Sequence, residues 1–248
     1  MRLPTIEIDH PPWLTGTGVP EQEQPGVHAI SVNLMRLYTC VEDYAAAFAL
    51  LEECQLAERE TMTTLPAGAL SPIKLRQALA RRGRIAHRDS ILTVYHFWTA
   101  LTGISASIGT SLSVLQSLNR NLMAEARQEF EATFRPKDIV DARDSVAHAA
   151  DPGKTPSKTA EHAVDGPFQQ AGISIGAGVT NVIISNHTHD DTYMNAWEKG
   201  GSISRLSVAN FSVMKDVYDK IRAAFIPVAA ALERPSGGAE PPKPDAPP

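Results

Sequence analysis

The sequence predicts a mainly α-helical protein, an antiparallel helical bundle with a small antiparallel β insert before its last helix. Three observations lead there. Apolar residues recur at steps of three and four over long segments, the repeat of a helix with one buried stripe. Prolines and capping residues fall where those segments should start and stop. One stretch, Gly172 to Val208, breaks the pattern with β-branched runs and glycines, the texture of short strands and turns.

Taken in order, residues 1–27 hold Pro4, Pro11, Pro12, Pro20 and Pro25 with little periodicity and read as a loose arm. From Ser31 to Thr61 the stripe Leu34, Leu37, Val41, Tyr44, Phe48 and Leu51 marks a long amphipathic helix. Ser71-Pro72 is an N-cap with proline at the first helical position, and the helix it opens runs past Trp98 towards Gly103. A third helix is expected over Ser111–Phe134, ahead of Arg135-Pro136. A fourth is expected from Pro136 to about Ala149, ended by Asp151-Pro152-Gly153. Asp151 to Pro167, rich in Pro, Gly, Lys and Thr, reads as a mobile loop. Ile173-Ser174-Ile175, the run Val179 to Ser185 and Gly200-Gly201 predict the β insert at about 172–206. A closing helix over Ser207–Glu233 carries Phe211, Met214, Val217, Ile221 and Phe225, a stripe expected to pack back on the bundle. Residues 28–234 are therefore read as one domain. Residues 235–248, with six prolines, read as a disordered tail.

The chain of 248 residues is 43% hydrophobic and 21% charged, enough to bury a core. That excludes a wholly disordered chain, a collagen-like chain and a disulfide-stapled miniprotein. No apolar run is read as approaching the ~18–20 uncharged residues of a membrane span. The opening Met1 to Asp9 carries acid and proline where a signal peptide is apolar, so the expectation is a cytoplasmic protein with no membrane partner. A net charge of −5 argues against a protein that coats nucleic acid, while leaving room for a local basic patch. Cys40 and Cys54 fall in one predicted helix about 21 Å apart, beyond the ~7 Å reach of a disulfide. They are expected to be core thiols in a reducing compartment.

The most informative stretch is Asp141-Ala142-Arg143-Asp144-Ser145-Val146-Ala147-His148. Its Arg, a polar residue, then a His five positions after the Arg resembles the signature of the HEPN superfamily of helical bundles. The setting, a helix late in a bundle, resembles that family as well. The resemblance implies a metal-independent ribonuclease site at a homodimer interface, carried by Arg143 and His148, with Asp144 in the polar slot.

The chemistry of these side chains fits that implication. Metal-free RNA cleavage needs a group to take the 2′-hydroxyl proton, one to protonate the leaving oxygen, and positive charge on the phosphorane. An imidazole titrates near neutrality, and a guanidinium meets two phosphate oxygens with a planar fork. Asp144 lies one turn before His148, where its carboxylate is placed to hold the imidazole. Residues five apart on an ideal helix point about 140° apart. Arg143 and His148 converge only if the helix loosens or a second chain completes the site, and a twofold homodimer does the latter. The plain alternative makes Arg143 and Asp144 surface charges and His148 a helix C-terminal cation. The chain is then a non-catalytic interaction module, or one half of a toxin–antitoxin-type pair. A small-molecule-binding regulatory bundle is a third class.

The same spacing recurs at Arg82 to His87. Around it Arg81, Arg84 and Arg88 fall at three-four spacing with His87 beside them, a stripe suited to phosphate or an acidic partner, or a solvated face. His187-Thr188-His189-Asp190-Asp191 resembles a fragment of metallo-hydrolase sites, but no histidine follows His189, so a polar turn is expected and no metal. Gly172 to Gly178 lacks the Lys-Ser/Thr of a phosphate loop, Ser105, Ser107, Ser111 and Ser113 form no nucleophile elbow, and Trp13, Trp98 and Trp197 are too dispersed for a base-stacking platform. The combined expectation is a homodimer acting on RNA or a protein partner, with no cofactor.

Overall fold

Two long helices, α1 (Gln24–Thr64) and α2 (Leu70–Gly109), form an antiparallel hairpin that frames the fold. The stripe read from the sequence is the buried one: Leu34, Leu37, Val41, Tyr44, Phe48 and Leu51 are all in the core. At Gly103 a Cβ would come within 2.7 Å of the Asn33 amide, so glycine lets α2 approach α1. The computed structural model describes residues 7–14, 18–64, 70–147, 155–170, 172–180, 182–184, 187–189, 191–195 and 202–233.

The third predicted helix is two elements. A 3-10 turn at Ser113–Ser117 is followed by α3 (Arg120–Thr133), because the Asn119 side chain accepts the Leu122 N–H and starts a new helix. The Glu23 carboxylate reaches across from the foot of α1 to accept the Ser113 and Val114 N–H groups. Next comes α4 (Pro136–Ala147). Inside the expected mobile loop stands a short helix, α5 (Pro156–His162), capped by the Thr155 hydroxyl. Threonine before proline is a start signal that the loop-like composition of this stretch masked.

The β insert is two sheets, not one. Strands β1 (Phe168–Gln170) and β2 (Ile173–Ile175) form an antiparallel hairpin turning at Gly172, whose φ is +73°. Strands β3 (His187–His189), β4 (Thr192–Asn195) and β5 (Ser202–Arg205) form an antiparallel meander in the order β3-β4-β5. His187–His189 is thus a strand rather than a turn. A Cβ at Gly166 would collide with the Gly176 carbonyl, so only glycine fits that crossing. Finally α6 (Val208–Leu232), capped by the Ser207 hydroxyl, returns to pack on α1 and α3.

Tyr44, Phe97, Phe130, Phe211, Tyr218 and Phe225 are among the largest fully buried side chains of the core. The Phe130 ring stacks on Phe97 and Trp98 at centroid distances of 5.1 and 5.9 Å. Such pairs add roughly 0.5–1.5 kcal/mol each beyond area burial.

Two sequence expectations are corrected. Residues 7–14 are a docked strap rather than a loose arm. The Tyr218 hydroxyl donates to the Asp9 carbonyl, Arg222 Nε donates to the His10 carbonyl, and the His10 ring stacks on Tyr38 at 4.6 Å. Within the strap Pro11 and Leu14 are buried. Prolines remove helical periodicity, but an extended segment needs none to donate carbonyls and bury side chains. Second, residues 91–108 of α2 contain no Asp, Glu, Lys or Arg. By length and composition this helix is long and apolar enough to cross a membrane. Its Val94, Phe97, Leu101 and Ile104 face the bundle core, while its other side carries Tyr95, Thr99, Thr102 and Ser105. Thr99, Thr102 and Ser105 return their hydroxyls to carbonyls one turn earlier. The predicted tail, residues 235–248, lies outside the described residues.

Candidate functional site

The motif helix, α4, lies against α2. Phe134, just before α4, packs its ring at a tilt against Phe130, which in turn stacks on Trp98. Further along, Arg143 stands over the Tyr95 ring, 4.7 Å from guanidinium carbon to ring centroid. Ala142 and Val146 then pack with Ile91 of α2 and Tyr193 of β4. The contacts step down α2 as α4 advances, so the two helices run antiparallel and the C-terminal end of α4 heads towards Arg88 and Arg84.

Arg143 is held from two sides. One Nη donates to Asp144 Oδ1 at 2.7 Å, and the Tyr95 face covers the guanidinium. Its side chain is 32% exposed and that of Asp144 23%. Arg143 Nε is buried and makes no hydrogen bond among the described residues. Packing and ring contact, more than hydrogen bonding, therefore fix its position. Asp144 turns its carboxylate to its neighbour Arg143, one residue back, which the spacing argument had aimed at His148. His148 itself lies outside the described residues, which end on α4 at Ala147.

The rival match, Arg82 to His87, does not converge. Arg82 is exposed, whereas His87 is 1% exposed with its ring stacked on Tyr193 at 6.1 Å. The two residues point about 140° apart on an unbroken helix. The same burial corrects the basic stripe. His87 belongs to the interior face shared with β4, and only the arginines remain as the outward charge. Arg81 and Arg88 are exposed and Arg84 is half-buried. Among the described residues none of the three is paired with a carboxylate, although Arg76 of the same helix bonds Glu58 at 3.0 Å.

Sequence reasoning missed Tyr95 and Tyr193, the two aromatic residues that organise this region. Tyr193 is 1% exposed, and burial pushes its phenol above the usual range against the opposing pull of Arg88 and Arg84. A signal existed for Tyr95: it continues the face Arg84, Arg88, Ile91 at helical spacing. None existed for Tyr193, whose strand is short and flanked by polar residues.

The other candidates fall into place elsewhere. Ser107 in α2 bonds the Gly103 carbonyl, so it is a helix hydroxyl rather than a nucleophile. Trp98 is a core-edge ring, Trp13 is 70% exposed, and Trp197 lies outside the described residues. No group of three metal-ligating side chains stands together among the described residues. A cleft of about 450 Å³ lies between Leu14, Val19 and Val27, and another of about 430 Å³ between Ala47, Leu50, Asp89 and Leu92; neither borders Arg143. Comparison with family models, with curated proteins and with solved structures finds no match.

Proposed function

We propose that this chain is a HEPN-like, metal-independent endoribonuclease that works as a homodimer. The observation that carries the reading is the setting of Arg143. Its guanidinium is pre-oriented by a ring and a carboxylate, and about a third of the side chain remains open to solvent. A fixed cation of this kind costs little reorganisation when charge develops on a phosphorane. His148 serves as general acid or base, and Asp144 holds Arg143. The twofold partner brings a second Arg–His pair to the same cleft, which relieves the 140° divergence of a single helix.

A second reading is favoured by the same contacts. The Asp144 pair and the Tyr95 stack together give Arg143 a complete structural role, that of fastening α4 to α2. The protein is then a non-catalytic helical module that binds a protein partner.

Cleavage of single-stranded RNA, with and without a 2′-hydroxyl at the cut site, separates the two. The ribonuclease reading requires cleavage only when the 2′-hydroxyl is present, undiminished by EDTA. It also requires a loss of at least ~10²-fold in His148→Ala. Arg143→Lys lowers the rate as well, because a point charge does not replace the bidentate fork. No cleavage by the wild type, cleavage of the 2′-deoxy substrate, or full activity in His148→Ala overturns it.

A further inference from the structure

One side of α2 carries a line of cations that leads to the motif helix, with Ile91, buried against α4 and β4, between Arg88 and Tyr95. On an α-helix Arg81, Arg84, Arg88 and Tyr95 fall within about 60° of one another around the axis and span about 21 Å along it. The Tyr95 position is occupied by a cation as well, since the Arg143 guanidinium sits on that ring. The line therefore reads Arg81, Arg84, Arg88, Arg143, with three residues from α2 and the last from α4.

No carboxylate among the described residues pairs with Arg81, Arg84 or Arg88, whereas Arg76, Arg127, Arg135 and Arg222 all have acidic partners. Their like-charge spacing of one turn disfavours the helix slightly, with no paired carboxylate among the described residues to offset it. Such an arrangement is compensated when a regularly repeating anion lies along it. The whole chain carries −5, so a polyanion is repelled elsewhere and guided to this line.

We infer that Arg81, Arg84 and Arg88 form a phosphate track that seats the backbone of single-stranded RNA and delivers it to Arg143. This rests on the ribonuclease reading for its direction, because the track ends where that reading puts the chemistry. Each arginine contacts phosphate rather than base, so the track adds affinity without sequence preference.

The test is fluorescence anisotropy of labelled single-stranded RNA, its 2′-hydroxyls replaced to block cleavage, over a range of salt. Each phosphate contact to a single strand contributes about −0.7 to the slope of log K against log salt. The wild type should give a slope of about −2 or steeper. The triple variant Arg81→Gln, Arg84→Gln, Arg88→Gln should flatten it by about 2 and weaken low-salt binding at least tenfold, equally across sequences. The corresponding triple lysine variant should restore the slope, which separates lost charge from lost fold. Arg36→Gln and Arg120→Gln, exposed arginines on other elements, should leave it unchanged. No binding by the wild type, an unchanged slope in the triple glutamine variant, or equal competition by polyglutamate overturns the track. Binding without cleavage of unmodified RNA overturns the ribonuclease reading and leaves the track standing. Cleavage with an unchanged KM in the triple glutamine variant does the reverse.

Discussion

The contact between Arg143 and Tyr95 fastens the motif helix to the frame, and its strength is measurable. The guanidinium lies 4.7 Å from the ring centroid, well inside the ~6 Å range of cation–π attraction. Exposed pairs of this kind contribute about 0.5–1 kcal/mol and desolvated ones about 2. With the Arg143 side chain 32% exposed, the pair falls between those limits, at about 1 kcal/mol. The perturbations are Tyr95→Leu, Arg143→Met and the double variant, each keeping the aliphatic bulk. Urea unfolding of the four proteins gives the coupling free energy directly. We expect about 1 kcal/mol, with each single variant melting about 2–4 °C lower per kcal/mol lost in a chain of this size. Repeating the single Arg143→Met comparison at high salt reports the contribution of Asp144, because that ion pair is partly exposed and is screened. A coupling below about 0.3 kcal/mol is indistinguishable from simple additivity. It would mean that the ring does not hold the guanidinium, and the case for a pre-oriented cation would fail with it.

Three further outcomes follow from the fold. Leu14→Ala should cost about 2 kcal/mol or more in unfolding free energy, since its side chain is 2% exposed; a loose arm would show no change. Glu23→Gln should lower the melting temperature at neutral pH. The hydrogen bonds from Ser113 and Val114 hold the native Glu23 carboxyl below its usual range. Its contribution is therefore full above the unfolded pKa and fades as pH falls through the lower native one, so the difference from wild type should shrink near pH 3. Burial pushes the Cys40 thiol up to about 12, so at pH 8 only about one molecule in 10⁴ carries the thiolate. Native Cys40 should resist alkylation that proceeds at once in urea; rapid labelling of the folded protein would contradict its burial.

Periodicity alone determined the long helices. The buried stripe of α1 and that of α6 are the residues whose three-four spacing marks them in the sequence, because a helix has no other way to hide that pattern. The proline start of α4 was equally legible, since a missing N–H and a fixed φ act locally. By contrast, α2 opens at Leu70, ahead of the expected Ser71 cap, and runs to Gly109, past the expected stop near Gly103. What needed tertiary structure was everything settled between elements. Pro11 and Leu14 look like linker residues until Tyr218 and Arg222, two hundred residues away, supply donors for the carbonyls beside them. His87 and Arg88 are neighbours in a basic run, yet the approach of β4 buries the histidine and leaves the arginine outside. The motif gave Arg143 a role, but only the meeting of α4 with α2 put Tyr95 beneath its guanidinium. Local backbone preference is written residue by residue in the chain. Which side chains share a site depends on packing between segments far apart in sequence, and no local pattern records that.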